Sequence, residues 1–351
     1  MVLNARDAEK RGASIQTREK VIKADVIDGI WEIQTQSTIT GETNKVTAKM
    51  IVNAAGPWVS DVLRGTLKSN QKDKVRLVRG SHIVTKRLFN HDKCYFFQGT
   101  DGRIIFAIPY ETDFTLIGTT DADHDDPQKK PICTPAERNY LIEFINEYLA
   151  EPITSEDIVW TFSGVRPLYN DGAKSASAAT RDYVLKLDQS CGAPTLNVFG
   201  GKITTYRRLA ESALEKISEA IPVVRDKWTA GVALPGGDFE VDGVNSLISA
   251  TQAAYPFLTD RWAKRLVRAY GSEVNEILGD AEFASDLGIN FGAELTQREV
   301  EWLIKNEYVQ TADDIVWRRT KLGLRMTTEQ IQSIEDWIIA QRCKVRIKAA
   351  E

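Results

Sequence analysis

The chain has 351 residues, 42% hydrophobic and 27% charged, an ordinary globular composition long enough for two or three domains with cores of their own. Its formal net charge of −4 offers no electrostatic argument for nucleic acid as a partner. No run of about 18 apolar residues occurs, so no transmembrane helix is expected, and residues 1–15 lack both the apolar stretch and the cleavage site of a secretory signal.

Residues 2–11 read as a helix, with Val2, Leu3, Ala5 and Ala8 on one face and Gly12 ending it. Residues 13–26 read as strand. Residues 30–33 and 45–48 alternate across a polar, glycine-containing turn, the pattern of a hairpin. Residues 49–55 form a buried strand that runs into Gly56-Pro57, and a helix is expected over 58–65, with proline tolerated at its start. Residues 75–84, 95–98, 103–108 and 114–119 are strand-like and separated by turn residues, which predicts an antiparallel meander. Thr134-Pro135-Ala136-Glu137 opens a helix in the capping-box pattern, with Leu141, Ile142, Ile145 and Leu149 as its apolar stripe. Residues 158–162 are a further strand, leading into Ser163-Gly164-Val165-Arg166-Pro167. Residues 195–199 are a short buried strand broken by Gly200-Gly201. A helix follows with Tyr206, Leu209, Ala210, Ala213, Leu214 and Ile217 at helical spacing. Leu234-Pro235-Gly236-Gly237-Asp238 is the clearest linker, and beyond it the chain is mainly helical. A helix over 259–270 ends at Gly271, a second capping box is expected at Thr296-Gln297-Arg298-Glu299, and residues 327–342 form a last amphipathic helix.

The four cysteines (Cys94, Cys133, Cys191 and Cys343) are scattered without a CxxC, which favours free thiols. With three histidines and no HxxxH, no metal site is expected. The acidic run around His124, residues 121–126, lacks the Gly and Glu positions of a calcium loop and reads as a solvated loop. Two strand-glycine-helix junctions stand out, at residues 51–58 and 197–202. Such a junction is either an ordinary turn or a ligand seat, since ligands of open α/β sheets sit at strand carboxyl ends and glycine removes the Cβ that would hold a planar group away. Gly201-Lys202-Ile203-Thr204 fails the P-loop pattern, and no G-x-G-x-x-G fingerprint occurs anywhere. Arg166, Arg181 and Lys202 are cations in apolar or glycine-rich surroundings, suited to a phosphate or carboxylate or else to a structural carboxylate partner. His82, in Arg79-Gly80-Ser81-His82-Ile83, is either a hydroxyl-proton acceptor or a core polar group.

Taken together, VNAAGPWVSDVL, RLVRGSHIV, IIFAIPYETDFTLIGTTD, DIVWTFSGVRPL, TRDYVL and VFGGKITTYRRLAE resemble, in content and order, the FAD-dependent glycerol-3-phosphate dehydrogenases. The tail, with VALPGG, SDLGINFGAELTQREVEWLI and ADDIVWRRTKLGL, is similar to the C-terminal helical domain of the aerobic, respiratory type. The resemblance implies a mixed α/β fold: a partial FAD-binding, Rossmann-like domain, an antiparallel β-sheet cap and a C-terminal all-α domain. The corresponding partition is 1–66 and 163–225 for the FAD-binding domain, 67–162 for the cap and 226–351 for the helical domain. It implies FAD contacts at Val21, Ala54, Ala55, Gly56, Trp58, Gly200, Gly201, Lys202, Ile203, Thr204 and Thr205. It implies that Arg166 and Arg181 grip the substrate, with His82 and Lys202 beside the reacting carbon. The reaction would be oxidation of sn-glycerol 3-phosphate to dihydroxyacetone phosphate, with electrons passed through FAD to ubiquinone. The location would be the cytoplasmic side of the inner membrane, peripherally attached, with a homodimer as the assembly to test. Family members open with a strand and a glycine-rich turn for the FAD pyrophosphate, which this sequence does not contain, so the chain alone is expected to bind FAD poorly and to be inactive. The alternatives are an oxygen-using glycerol-3-phosphate oxidase, a non-catalytic fragment and, further off, a flavin amino-acid oxidase.

Overall fold

The computed structural model describes residues 1–71, 73–100, 102–170, 172, 180–222 and 227–350, the last seven by their backbone. Two compact units are present: residues 18–229, and residues 1–17 together with 230–351. The fold is mixed α/β, with antiparallel sheets, one parallel strand pair and a mainly helical C-terminal part.

The chain opens with helix α1 (Val2–Lys10) and then enters three antiparallel strands, β1 (Glu19–Ile27), β2 (Ile30–Ser37) and β3 (Thr43–Ala48), paired in that order. The expected hairpin is β2–β3. The strand expected from residue 13 begins only at Glu19, because residues 1–17 pack with the other unit. Strand β4 (Ile51–Asn53) leads to a tight turn at Gly56–Trp58, one helical turn α2 (Val59–Asp61) and a widened turn at Val62–Thr66. The helix expected over 58–65 is thus not a continuous α-helix. Its end is underwound into a wide turn, with the Leu67 N–H donating 2.9 Å to the Val62 carbonyl, one residue further back than in an α-helix.

The meander is β5 (Val75–Lys86), β6 (Tyr95–Gln98), β7 (Ile104–Tyr110), β8 (Phe114–Gly118) and β9 (Ala122–Asp123). Helix α3 (Pro135–Asn146) follows, and then β10 (Ile158–Tyr169). The sheet order is β10-β5-β8-β7-β6, with β9 on β5, antiparallel throughout. Side chains alternate between its faces. One face carries Ile83, Ile105, Ala107 and Ile117 against Leu141, Phe144 and Ile145 of α3. The other carries His82 and Arg166. The capping box of α3 forms as expected: the Thr134 hydroxyl accepts from the Glu137 N–H, and Glu137 accepts from the Thr134 N–H.

Strands β11 (Tyr183–Asp188) and β12 (Thr195–Gly200) and helix α4 (Tyr206–Ser218) complete this unit. Strand β12 runs parallel to β4, pairing Thr195 with Ile51 and Asn197 with Asn53, and antiparallel to β11. The buried Asn53 and Asn197 amides bond each other at 3.0 Å, which holds the two carboxyl ends level. Trp31, Val59, Leu63 and Phe199 form the core shared by this sheet and the β1–β3 sheet.

The other unit contains α5 (Val244–Ala254), α6 (Asp260–Tyr270), α7 (Val274–Leu278), the two-stranded β13 (Asn290–Gly292) and β14 (Leu295–Thr296), α8 (Gln297–Asn306) and α9 (Thr328–Ala350). Its core includes Leu266, Val274, Leu287, Val300, Ile315 and Ile334. Helix α1 belongs here, which divides the FAD-domain segment expected over 1–66. Arg6 is the reason: its buried guanidinium makes a two-pronged pair with Glu273 at 2.7 and 2.8 Å and lies 4.9 Å over the Trp302 ring. The capping box expected at Thr296 does not form. Thr296 makes no side-chain cap bond, and Glu299 instead accepts two bonds from Arg265 at 2.7 Å each and one from the Tyr270 hydroxyl.

Candidate active site

The two glycine junctions lie at the carboxyl ends of the parallel pair β4 and β12. Gly56 and Gly201 sit in left-handed backbone conformations at φ 55° and 96°, which glycine adopts at little cost. A Cβ on Gly56 would find nothing nearer than the Pro167 side chain at 3.9 Å, and one on Gly200 would press on the Asp182 carbonyl and the Tyr169 N–H. The end of β10, just past Arg166, therefore meets both junctions. Apolar side chains remain uncovered there: Ile203 is 83% exposed and Trp58 44%. Bare glycine backbone flanked by uncovered apolar side chains suits the edge of a flat cofactor. Ala54, Ala55, Gly56 and Trp58 follow β4, and Gly200, Gly201, Lys202, Ile203, Thr204 and Thr205 end or follow β12, so the structure assembles these expected cofactor residues on one sheet end. Thr205 bonds the Lys202 carbonyl through both its N–H and its hydroxyl, which shapes this turn. Val21 stands apart on the exposed part of β1, in the neighbouring three-stranded sheet. Nothing in the chain supplies a G-x-G-x-x-G cradle, so no described residue is assigned to a pyrophosphate.

The face of the large sheet away from α3 carries His82 and Arg166. Pairing sets Phe162 beside His82, His82 beside Gly118 and Gly118 beside Phe106, so these four form one row across the sheet. The His82 ring stacks on Phe162, centroids 4.8 Å apart and the ring planes nearly parallel. It lies over Gly118, where any Cβ would overlap the imidazole, and Gly80 is likewise left bare beneath the Arg166 guanidinium. Burial, with the positive charge of Arg166 second, holds His82 down at about 4, so the imidazole is neutral near pH 7. Its Nδ1 is buried with no hydrogen-bond partner among the described residues.

Arg166 is held by three consecutive residues. It donates to Asp121 Oδ1 at 2.7 Å, to Thr119 Oγ1 at 3.0 Å and to the Thr120 carbonyl at 3.4 Å. The acidic run read as a solvated loop thus serves arginines, since Asp123 pairs with Arg76 in the same way. The guanidinium remains partly exposed, as an anion-binding group must. Lys202 and Arg181 are exposed, and their side chains make no ion pair among the described residues. Two hollows of about 760 and 410 Å³ lie in the helical unit, beside Phe291 and Trp337 and beside Asp7 and Glu273, and no predicted site residue lines either.

Sequence reasoning passed over Gly80, Gly118, Asp121 and Thr119. A glycine inside a strand signals close approach of another group, and both glycines carried that signal. Asp121 carried none, because its pairing with Arg166 spans 45 residues.

Residues 1–207 match the family described as FAD dependent oxidoreductase, and residues 227–342 match the C-terminal domain of alpha-glycerophosphate oxidase. The chain is 39% identical over 96% of its length to the D-erythritol 1-phosphate dehydrogenase of Brucella abortus (strain 2308) and 38% identical over 97% to the aerobic glycerol-3-phosphate dehydrogenase of Escherichia coli (strain K12). It covers 67% and 68% of those two proteins, about two thirds of their length. Among solved structures, the Bacillus halodurans glycerol-3-phosphate dehydrogenase complexed with FAD superposes with a TM-score of 0.78 at 25% identity, over 97% of this chain and 71% of that one.

Proposed function

Because the chain belongs to the FAD-dependent glycerol-3-phosphate dehydrogenase family, we propose that it oxidises sn-glycerol 3-phosphate to dihydroxyacetone phosphate and passes the electrons to ubiquinone at the inner membrane. The observation that carries this reading is the placing of Arg166 and His82 on one sheet face, with Arg166 next to the strand end that meets Gly56 and Gly200. When bound, FAD supplies the two-electron acceptor.

The chain's own residues bind, orient and move a proton. Arg166 and Arg181 offer forked donors to the phosphate, and Lys202 adds a point charge at the cofactor end. His82, its imidazole neutral, takes the proton of the C2 hydroxyl on Nε2, since Nδ1 is enclosed. At about 4 its basicity is low in the free protein, and part of that depression comes from Arg166. A phosphate seated on Arg166 offsets that charge and raises the proton affinity of the imidazole as substrate arrives. Phe162 and Gly118 hold the ring flat so that the lone pair keeps one direction.

Anaerobic mixing of FAD-loaded protein with sn-glycerol 3-phosphate should bleach the flavin absorbance, and no bleaching would sink the reading. Reduction of a water-soluble quinone without hydrogen peroxide supports the dehydrogenase, whereas peroxide formation supports the oxidase. Failure to take up FAD at saturating concentration supports a non-catalytic role. None of the helices among the described residues is long and apolar enough to cross a membrane, so attachment would be peripheral, and co-sedimentation with anionic vesicles tests it. A homodimer is part of the proposal and is tested by light scattering. A second substrate reading, a four-carbon polyol phosphate, is favoured by the 39% identity to the erythritol-phosphate enzyme. The ratio of kcat/KM for the two substrates decides between them.

A further inference from the structure

We propose that Glu137 is a positioning residue for Arg166 and His82: from the opposite face of the sheet its carboxylate fixes Thr120 and Ser81, and through them the guanidinium and the imidazole. The assignment rests on the reading above, in which Arg166 and His82 hold the substrate.

The carboxylate is surrounded by donors. Its Oε1 accepts from Ser81 Oγ at 2.9 Å, Thr120 Oγ1 at 2.8 Å and Arg79 Nε at 3.3 Å. Its Oε2 accepts from Arg79 Nη2 at 2.9 Å, the Thr134 N–H at 3.0 Å and Thr134 Oγ1 at 2.8 Å. Burial alone would raise its pKa, but the bonds from Thr134, Arg79 and Thr120 outweigh burial and bring it to about 2. Capping α3 needs only the Thr134 contacts. The bonds to Ser81 and Thr120 exceed that need, and both lead to the site.

Thr120 is stitched to Ser81 twice: its hydroxyl accepts from the Ser81 N–H at 3.0 Å, and its N–H donates to the Ser81 carbonyl at 3.3 Å. Ser81 directly precedes His82. Thr120 is the middle of the three residues that hold Arg166, between Thr119 and Asp121. One buried carboxylate thus sets where the loop after β8 lies against β5, and that spacing sets where the guanidinium lies beside the imidazole. An amide cannot replace it. Arg79 and the Thr134 N–H are obligate donors on the two sides of the carboxylate, so the NH2 of glutamine would face one of them either way.

The test compares the protein with Glu137→Gln, Thr120→Val and Thr134→Ala. The first readout is the His82 titration by NMR without substrate, resolved from His91 and His124. Loosening the loop admits water and draws Arg166 away, which removes both causes of the depression. Glu137→Gln and Thr120→Val should move His82 up from about 4 toward its ordinary 6.5, and Thr134→Ala, which removes one hydroxyl bond to the carboxylate but leaves those from Ser81, Thr120 and Arg79, should move it far less. The second readout is the kcat and KM of the FAD-loaded protein for sn-glycerol 3-phosphate. Here the first two variants should raise KM roughly tenfold, with a smaller change in kcat. Wild-type titration and KM in both would overturn the proposal, as would an equal shift in Thr134→Ala. If Glu137→Gln does not fold, Thr120→Val, which keeps the cap and the Arg79 pair, decides. If the wild-type protein does not oxidise glycerol 3-phosphate, the functional reading falls, and the His82 titration still judges Glu137 by itself.

Discussion

Glu137 at the start of α3 and Glu299 at the start of α8 each stand three residues after a threonine, and the two regions use them differently. In the sheet unit Glu137 closes the cap with Thr134 and also bonds Arg79, Ser81 and Thr120. In the helical unit Glu299 turns inward to the buried Arg265 and Tyr270, and Thr296 is left without a cap bond. A two-pronged guanidinium pair gives a carboxylate two charge-assisted bonds in a fixed geometry, and at Glu299 that pair and the Tyr270 hydroxyl occupy both oxygens. Arg265 itself is largely enclosed, and against the cost of burial its charge is retained because Glu299 faces it. The same local pattern therefore carries a cap and an arginine pair together at Glu137, and an ion pair without a cap at Glu299.

The largest expected effect breaks the helical side of this comparison. Glu299→Ala leaves the Arg265 charge buried and unpaired, which should cost about 3–5 kcal/mol of stability in denaturant unfolding. On the sheet side, Arg166→Ala should instead change binding. Loss of hydrogen bonds to a charged ligand raises KM for the phosphate substrate roughly tenfold to a hundredfold, while the partly exposed pair with Asp121 contributes about 0–1 kcal/mol to stability. A smaller effect sharpens the contrast between the two threonines. Thr134→Ala should cost about 1 kcal/mol through the lost cap, and Thr296→Ala should stay within about 0.5 kcal/mol because no cap bond exists to lose. Equal losses at both positions would refute the distinction.

A further contrast lies in pH dependence. His82 titrates at about 4 in the folded protein against an ordinary 6.5, so the unfolded chain takes up the proton first as pH falls. Its contribution to stability is complete above about 6.5 and is lost as pH falls through about 4. His82→Phe should flatten the stability curve in that window. Glu137 is depressed from 4.5 to about 2, so its contribution is complete above 4.5 and is lost as pH falls through about 2. Glu137→Gln should flatten this lower window and, because it raises His82, the upper one as well, whereas His82→Phe flattens the upper window alone, so unfolding midpoints measured across pH separate the two.

Much of this molecule was legible residue by residue. The alternation of the meander, the break at Gly200-Gly201, the stripe of α3 and the junction at Gly56 are local patterns, and local patterns act through backbone dihedrals and side-chain period over a few positions. The order of the motifs placed the family. The candidate site was legible in its cations and glycines, but not in what holds them. Only tertiary structure set Gly118 beneath His82, Gly80 beneath Arg166 and Asp121 against the guanidinium, because strand register joins residues far apart in sequence. Only tertiary structure carried α1 into the helical unit, where Arg6 meets Glu273 across 267 residues of chain. Sequence determined which groups could bond. Burial decided which of them did, since a charge removed from water must find a partner wherever along the chain that partner lies.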